Sequence, residues 1–264
     1  MRRLIPFLPK PPVVPVIRLQ GTIGMGARSL SDAALAPVIE RAFSRGKPVA
    51  VALAINSPGG SPAQSSLIAA RIRRLADEKK IPVHAFVEDV AASGGYWLAT
   101  AADDIWADES SLLGSIGVIS AGFGFPEALA KLGVERRVQT AGRSKSLADP
   151  FKPQTEADLA RIRALIEPLH EIFIAQVKAR RGARLDATAD LFNADVWLGR
   201  QAQALGLIDG IGHLKPKLME LYGPKVRLLP LGQRRGLMQR LGLSLVDSAV
   251  AAVEDRALWA RYGL

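Results

Sequence analysis

A chain of 264 residues, 48% of them apolar, can bury one large core or two small ones. It has no cysteine, which excludes thiol catalysis, disulfides and cysteine-based zinc sites together. Lys and Arg number 35 against 25 acids, a net charge of +10 that favours anionic surfaces. The aromatics are few, do not interleave with the basic runs and accompany no helix-turn-helix or RNA-binding signature, so nucleic acid is not an expected partner.

In chain order, residues 1–12 read as an irregular tail. The start is basic, but the apolar stretch after it is short, broken by prolines and without a small-residue cleavage site, so it does not read as a signal peptide. VVPVIRLQGTI (13–23) is apolar and β-branched and predicts a first strand. Ser31 can cap a helix over 32–45, with Leu35, Val38, Ile39 and Phe43 on one face and Gly46 ending it. PVAVALAIN (48–56) is a continuous apolar run, the pattern of a strand buried on both faces. SPGGSP turns, and a helix follows to about Lys79. PVHAFVE (82–88) is a second buried strand, and a helix begins at Ser93. DIWA (104–107) and GVISAG (117–122) predict short strands, and VERRVQTAG (134–142) alternates like a further one. A long charged helix over 154–181, a helix near 195–205 and a strand at KVRLLPL (225–231) follow. Alternating strands and helices predict an α/β fold with mostly parallel strands.

From 237 to 260, Leu237, Met238, Leu241, Leu245, Val246, Ala249, Val250, Val253 and Ala257 share one helical face. This amphipathic helix could dock on its own core, on a neighbouring subunit or on a membrane surface. No transmembrane helix is expected. Pro48–Ala70 is interrupted by its turn, and Ser110–Pro126 is too short and too rich in Gly and Ser. The expected organisation is a tail over 1–12, a main domain over 13–232 and a helical extension over 233–264. The expected location is cytoplasmic or peripheral at a membrane.

EDVAASGGYWLATAADD (88–104) carries the first chemical signal. Ser93 sits at a strand-to-helix turn, where backbone N–H groups are free and developing negative charge is stabilised. Gly94 and Gly95 let another backbone approach. The same serine could simply cap the helix. INSPGGSP (55–62) also joins a strand to a helix, and its N–H groups could supply half of an oxyanion hole or merely a tight turn. It lacks the G-K-[ST] of a phosphate loop. Two such turns on neighbouring parallel strands meet at the carboxyl edge of the sheet, where sites of open α/β folds form.

A serine nucleophile needs a base. The three histidines, His84, His170 and His213, are scattered; none lies in a glycine-rich loop beside an acid that would orient it, and none has metal-ligand spacing, so neither metal nor cofactor is expected. The alternative base is a lysine kept neutral by burial. Lys145, in TAGRSKSLADPF just after a predicted strand, is the candidate, although by itself it reads as a surface lysine.

INSPGG, AASGGYWLATAADDIWAD, GSIGV and AGRSKSLADPF, in that order and spacing across roughly residues 14–222, resemble the motif series of the S49 peptidase family, signal peptide peptidase A type, in its short single-repeat form. The resemblance implies a crotonase/Clp protease-like fold of repeated ββα units and a Ser–Lys dyad: Ser93 as nucleophile, Lys145 as general base, Ser115 orienting the lysine, Gly60 and Gly94 forming the oxyanion hole. It further implies extended apolar peptide substrates, remnant signal peptides among them, and a closed homo-oligomeric ring of roughly eight subunits. From the sequence, no counterpart of the family's N-terminal membrane anchor is expected, and the tail helix matches no family motif. Two rivals stand beside this reading. One is a crotonase-type acyl-CoA enzyme using Glu88 and Asp89. The other is a non-catalytic scaffold binding lipid or protein through its basic surface and tail helix.

Overall fold

The computed structural model describes residues 11–26, 29–142, 144–232, 256 and 258–264. The alternation expected from the sequence is present: β1 (Val13–Gln20), α1 (Asp32–Ser44), β2 (Val51–Ser57), α2 (Pro62–Lys79), β3 (Val83–Ala92), α3 (Gly94–Ala99), β4 (Asp104–Ala107) and β5 (Leu112–Gly114). Then come α4 (Pro126–Lys131), α5 (Glu156–Arg181), β6 (Val196–Leu198), α6 (Gly199–Ala204), β7 (Gly210–Ile211), α7 (Leu214–Tyr222) and β8 (Arg227–Leu231). The chain forms two compact units. One holds the described residues up to Ile116 and from Gln176 onward; the other is Gly117–Ala175.

The first unit is built on one sheet in the order β6-β5-β3-β2-β1-β8, with β4 paired to β3 and β7 to β4. Every pairing is parallel except β5 with β6. All seven residues of β2 are buried, as its unbroken apolar run predicts. On one face Val14, Val16, Ala50, Ala52, Ala54 and Phe86 pack with Leu218 of α7. The helices α1 and α2 bury Leu35, Ile39 and Phe43, and Ile68 and Ile72. Each large apolar side chain buried this way contributes about 1.5–3 kcal/mol before entropy. Ser31 caps α1 as expected, accepting from the Ala34 N–H at 3.4 Å.

The strand β3 is the pivot. Its first half, His84 to Val87, pairs with β4 and its last three residues, Val90 to Ala92, pair with β5. Its register with β2 breaks at the same place: Ile55 faces Val87, but Ser57 faces Ala91. Asn56 is thus opposed by Glu88, Asp89 and Val90, a bulge that turns the end of β3 toward β5.

Three sequence expectations are corrected. VERRVQTAG (134–142) forms no strand: Val134 and Val138 are exposed, and the charges are used locally, Arg137 with Glu135 and Arg136 with Asp149. Alternation alone makes no strand without a neighbouring edge to pair with. GVISAG (117–122) is likewise irregular, and the strand of this region is β5, just before it. The helix expected near 195–205 begins only at Gly199, because Val196–Leu198 is drawn into antiparallel pairing with β5. The elements α4, β7 and α7 had no counterpart in the sequence reading. The amphipathic helix of 237–260 lies outside the described residues, apart from Arg256 and residues 258–260.

In the second unit, Thr155 and Asp158 form a reciprocal cap at the start of α5: the Thr155 hydroxyl accepts the Asp158 N–H at 3.2 Å and the Asp158 carboxylate accepts the Thr155 N–H at 3.2 Å. Phe151 sits 5.8 Å from Phe125 and under the Arg136 guanidinium at 5.1 Å.

Candidate active site

Ser93 joins β3 to α3 with φ 52° and ψ −122°, a conformation that L residues seldom adopt. Both of its backbone groups are held. The N–H donates to the Gly114 carbonyl at 2.8 Å, and the carbonyl accepts from Trp97 N–H at 3.0 Å. Its side chain makes no capping hydrogen bond, so the capping alternative is excluded. The helix it precedes is anchored from below: all of α3 is buried, and the Tyr96 hydroxyl donates to the Leu207 carbonyl at 2.7 Å. Burial pushes that phenol's pKa well above its ordinary value.

The INSPGG turn lies directly against this serine. A Cβ on Gly59, where φ is +104°, would fall 2.8 Å from the Ser93 Cβ. At Gly60, with φ +141°, it would collide with the Ile23 carbonyl. At Gly94 it would collide with Ser65 Oγ and come within 3.4 Å of the Gly60 N. The bridge that holds this turn to Ile23 uses the Gly59 carbonyl and the Ser61 N–H and passes over the Gly60 N–H. Gly94 opens α3, where an N–H has no partner within its own helix. The Gly59–Gly60 turn and the start of α3 at Gly94 therefore lie close together beside Ser93.

Ser115 follows Gly114, whose carbonyl holds Ser93, so the two serines are brought together through β5. Ser115 also has positive φ, 50°, and its N–H donates to the Asp195 carbonyl at 2.7 Å. Lys145 belongs to the second unit, where it is exposed and its N–H donates to the Gly142 carbonyl at 3.2 Å.

The histidines need a correction. His84 does have an orienting acid: Nδ1 lies 2.8 Å from Asp104, while Nε2 lies 2.6 Å from the Tyr222 hydroxyl. With both nitrogens engaged between β3, β4 and α7, it is a packing histidine. His213 Nε2 lies 2.8 Å from Asp108, whose carboxyl is held far below its usual pKa by the Ser110 hydroxyl first and His213 second. Both acids are far from their histidines in sequence, so no local motif revealed them. His213 and Asp108 border a cleft of about 520 Å³ with Ala54, Phe86, Glu88 and Leu112 among its walls. Glu88 there pairs with Arg18 at 3.2 Å, and Asp89 accepts from the Asn56 amide.

Known proteins resemble the chain in sequence and in fold. The sequence profile described as Peptidase family S49 matches residues 75–221. Over 286 aligned residues the chain is 46% identical to a Brucella abortus (strain 2308) protein named Na(+)/H(+) antiporter NhaA, covering 100% of this chain and 39% of that one. It is 32% identical to serine protease SPPA, chloroplastic, of Arabidopsis thaliana, over 93% of this chain and 38% of the relative. The chain thus spans about two fifths of the length of these relatives. Among solved structures, a variant of the 1510-N membrane-bound stomatin-specific protease in complex with a substrate peptide matches with a TM-score of 0.55. The match covers 90% of this chain and 99% of that one at 17% identity, a likeness of fold. The crotonase/Clp protease-like α/β fold expected from the sequence is the fold present. Among the described residues, no helix is long and apolar enough to cross a membrane.

Proposed function

The chain belongs to Peptidase family S49, and on that footing we propose that it is a serine endopeptidase working through a Ser93–Lys145 dyad. The observation that carries the reading is Ser93 itself. It is strained, not used as a cap, and set against the Gly59–Gly60 turn.

In this reading the Lys145 amine, neutral when the site is closed to water, takes the Ser93 proton as Oγ attacks the scissile carbonyl. The resulting oxyanion accepts hydrogen bonds from Gly60 and Gly94. The lysine ammonium then gives its proton to the leaving amine as the C–N bond breaks, leaving an acyl-enzyme. Water attacks that ester with the lysine again as base, releasing the acid and restoring Ser93. Ser115 orients the lysine amine. Substrates are short apolar peptides in extended form, remnant signal peptides among them, and the chain works as a cyclic homo-oligomer. A net charge of +10 suits peripheral contact with anionic lipid. The transport named for the Brucella relative is not carried over, because this chain matches only 39% of that protein.

The test is hydrolysis of a short fluorogenic apolar peptide by Ser93→Ala, Lys145→Ala and the double variant. Groups that act only together lose activity non-additively, so each single variant is expected to be inactive and the double no worse. Substantial neutral-pH turnover by Lys145→Ala would remove the lysine from the base role.

A further inference from the structure

The register break in β3 leaves Glu88, Asp89 and Val90 opposite Asn56 alone. A bulge of this kind puts backbone groups outside the ladder, and its position sets which way every later side chain points. Here it decides where Ser93 stands. Val90–Ala92 pair with Leu112–Gly114 of β5, and the Gly114 carbonyl then accepts the Ser93 N–H at 2.8 Å. A slip by one residue would turn the end of β3 over and take Ser93 off that partner.

Side chains pin the bulge on both flanks. The Ser111 hydroxyl donates to the Glu88 carbonyl, and the Asn56 amide donates to the Asp89 carboxylate. Asn56 is itself fixed: it is 7% exposed, and its carbonyl accepts from the Gly21 N–H at 2.9 Å. Asp89 is exposed, so the bond ties an outer residue of the bulge to the buried strand β2. The next residue, Ser57, is fully buried and holds the other half of the site. Its Oγ accepts from the Gly59 N–H at 3.2 Å, and its carbonyl packs so closely on α3 that a Cβ on Gly95 would collide with it. Gly59 in turn lies against the Ser93 Cβ.

We propose that Asn56 and Ser57 are positioning residues for the hydrolysis at Ser93. Asn56 acts through Asp89 to fix the register of the strand that carries the nucleophile. Ser57 acts through Gly59 to fix the glycine turn against it. The proposal rests on the peptidase reading, and it gives the two polar residues of INSPGG a role that turn chemistry alone does not require. It also makes Asp89 an anchor, where the acyl-CoA alternative needs it as an acid or base.

The experiment compares the full chain with Asp89→Ala, Asp89→Asn, Asn56→Ala, Ser57→Ala and the Asn56→Ala/Asp89→Ala double variant, each with its melting curve recorded. Asp89 is exposed, so its variants keep the test open should Asn56→Ala fail to fold. Turnover of a short apolar peptide gives kcat and KM, and hydrogen exchange over Val90–Ser93 reads the strand without catalysis. Misplacing a reacting group by about 1 Å can cost on the order of a hundredfold, so Asp89→Ala and Ser57→Ala are expected to lower kcat roughly ten- to a hundredfold with KM nearly unchanged. Asp89→Asn keeps an acceptor for the Asn56 amide and is expected to stay within about threefold of the parent. The losses of Asn56→Ala and Asp89→Ala should not add, because both break one bond. Exchange over Val90–Ser93 should quicken in Asp89→Ala and return toward the parent in Asp89→Asn. An unchanged kcat in Asp89→Ala or Ser57→Ala would overturn the proposal. So would an effect of Asp89→Ala confined to KM, the mark of a substrate contact in the cleft it borders. Asp89→Asn as inactive as Asp89→Ala would make Asp89 an acid or base and overturn it too. Quickened exchange in Asp89→Ala, with no hydrolysis by any protein including the parent, would sink the peptidase reading and leave the pinned strand standing.

Discussion

At the scale of single residues, the backbone of Ser93 is the most informative feature. Its φ of 52° with ψ −122° is glycine territory, and a serine persists there because Gly114 and Trp97 hold its backbone on both sides. The strain belongs to the Cβ and not to the hydroxyl. Ser93→Ala is therefore expected to keep it and Ser93→Gly to relieve it. Glycine's extra freedom in the unfolded chain offsets part of the gain, leaving Ser93→Gly more stable than Ser93→Ala by about 1 kcal/mol. Denaturant midpoints of the two variants check this, and an alanine variant as stable as the glycine one would contradict it. The serine and its glycines were legible because they lie in contiguous motifs at strand ends. Gly59 against the Ser93 Cβ, Asn56 against Asp89 and Asp108 against His213 were not, because each pairs residues that only the folded chain brings together.

At the scale of elements, legibility followed burial. The runs that became β2 and β3 are apolar on both faces and admit one reading. VERRVQTAG alternates equally well yet has no edge to join, whereas Val196–Leu198, within a stretch read as helix, is captured by β5. The C-terminal end of α5 is fixed by charge. Arg181, 3% exposed, donates to Asp209 at 2.7 Å and to the Gly206 carbonyl at 2.9 Å. For Asp209, burial alone would raise the carboxyl pKa, but the Arg181 hydrogen bond, the Ile105 N–H and the charges of Arg181 and Arg184 together lower it. A depressed folded-state pKa stabilises the fold above the unfolded value of about 3.9 and loses that contribution as pH falls through the folded value. Asp209→Asn leaves a buried guanidinium without its counter-charge and is expected to cost about 2–3 kcal/mol near neutral pH. The deficit should shrink as the parent is acidified below that range. Denaturant titrations at neutral and acid pH measure both, and a deficit independent of pH would remove Asp209's ionisation from the account.

At the scale of the whole molecule, the second unit exposes the large apolar side chains of Ile119, Phe123, Leu132 and Val134. This suits assembly into the cyclic homo-oligomer proposed above. Sedimentation of the full chain at micromolar concentration without detergent should show a closed multi-subunit species, and a monomer would contradict it. The central claim, a nucleophile at Ser93 activated by Lys145, is tested most directly by labelling with a serine-reactive phosphonate followed by peptide mapping. The account predicts modification at Ser93 alone, slowed in Lys145→Ala on the order of a thousandfold. Modification at another serine, or an undiminished labelling rate in Lys145→Ala, would contradict it.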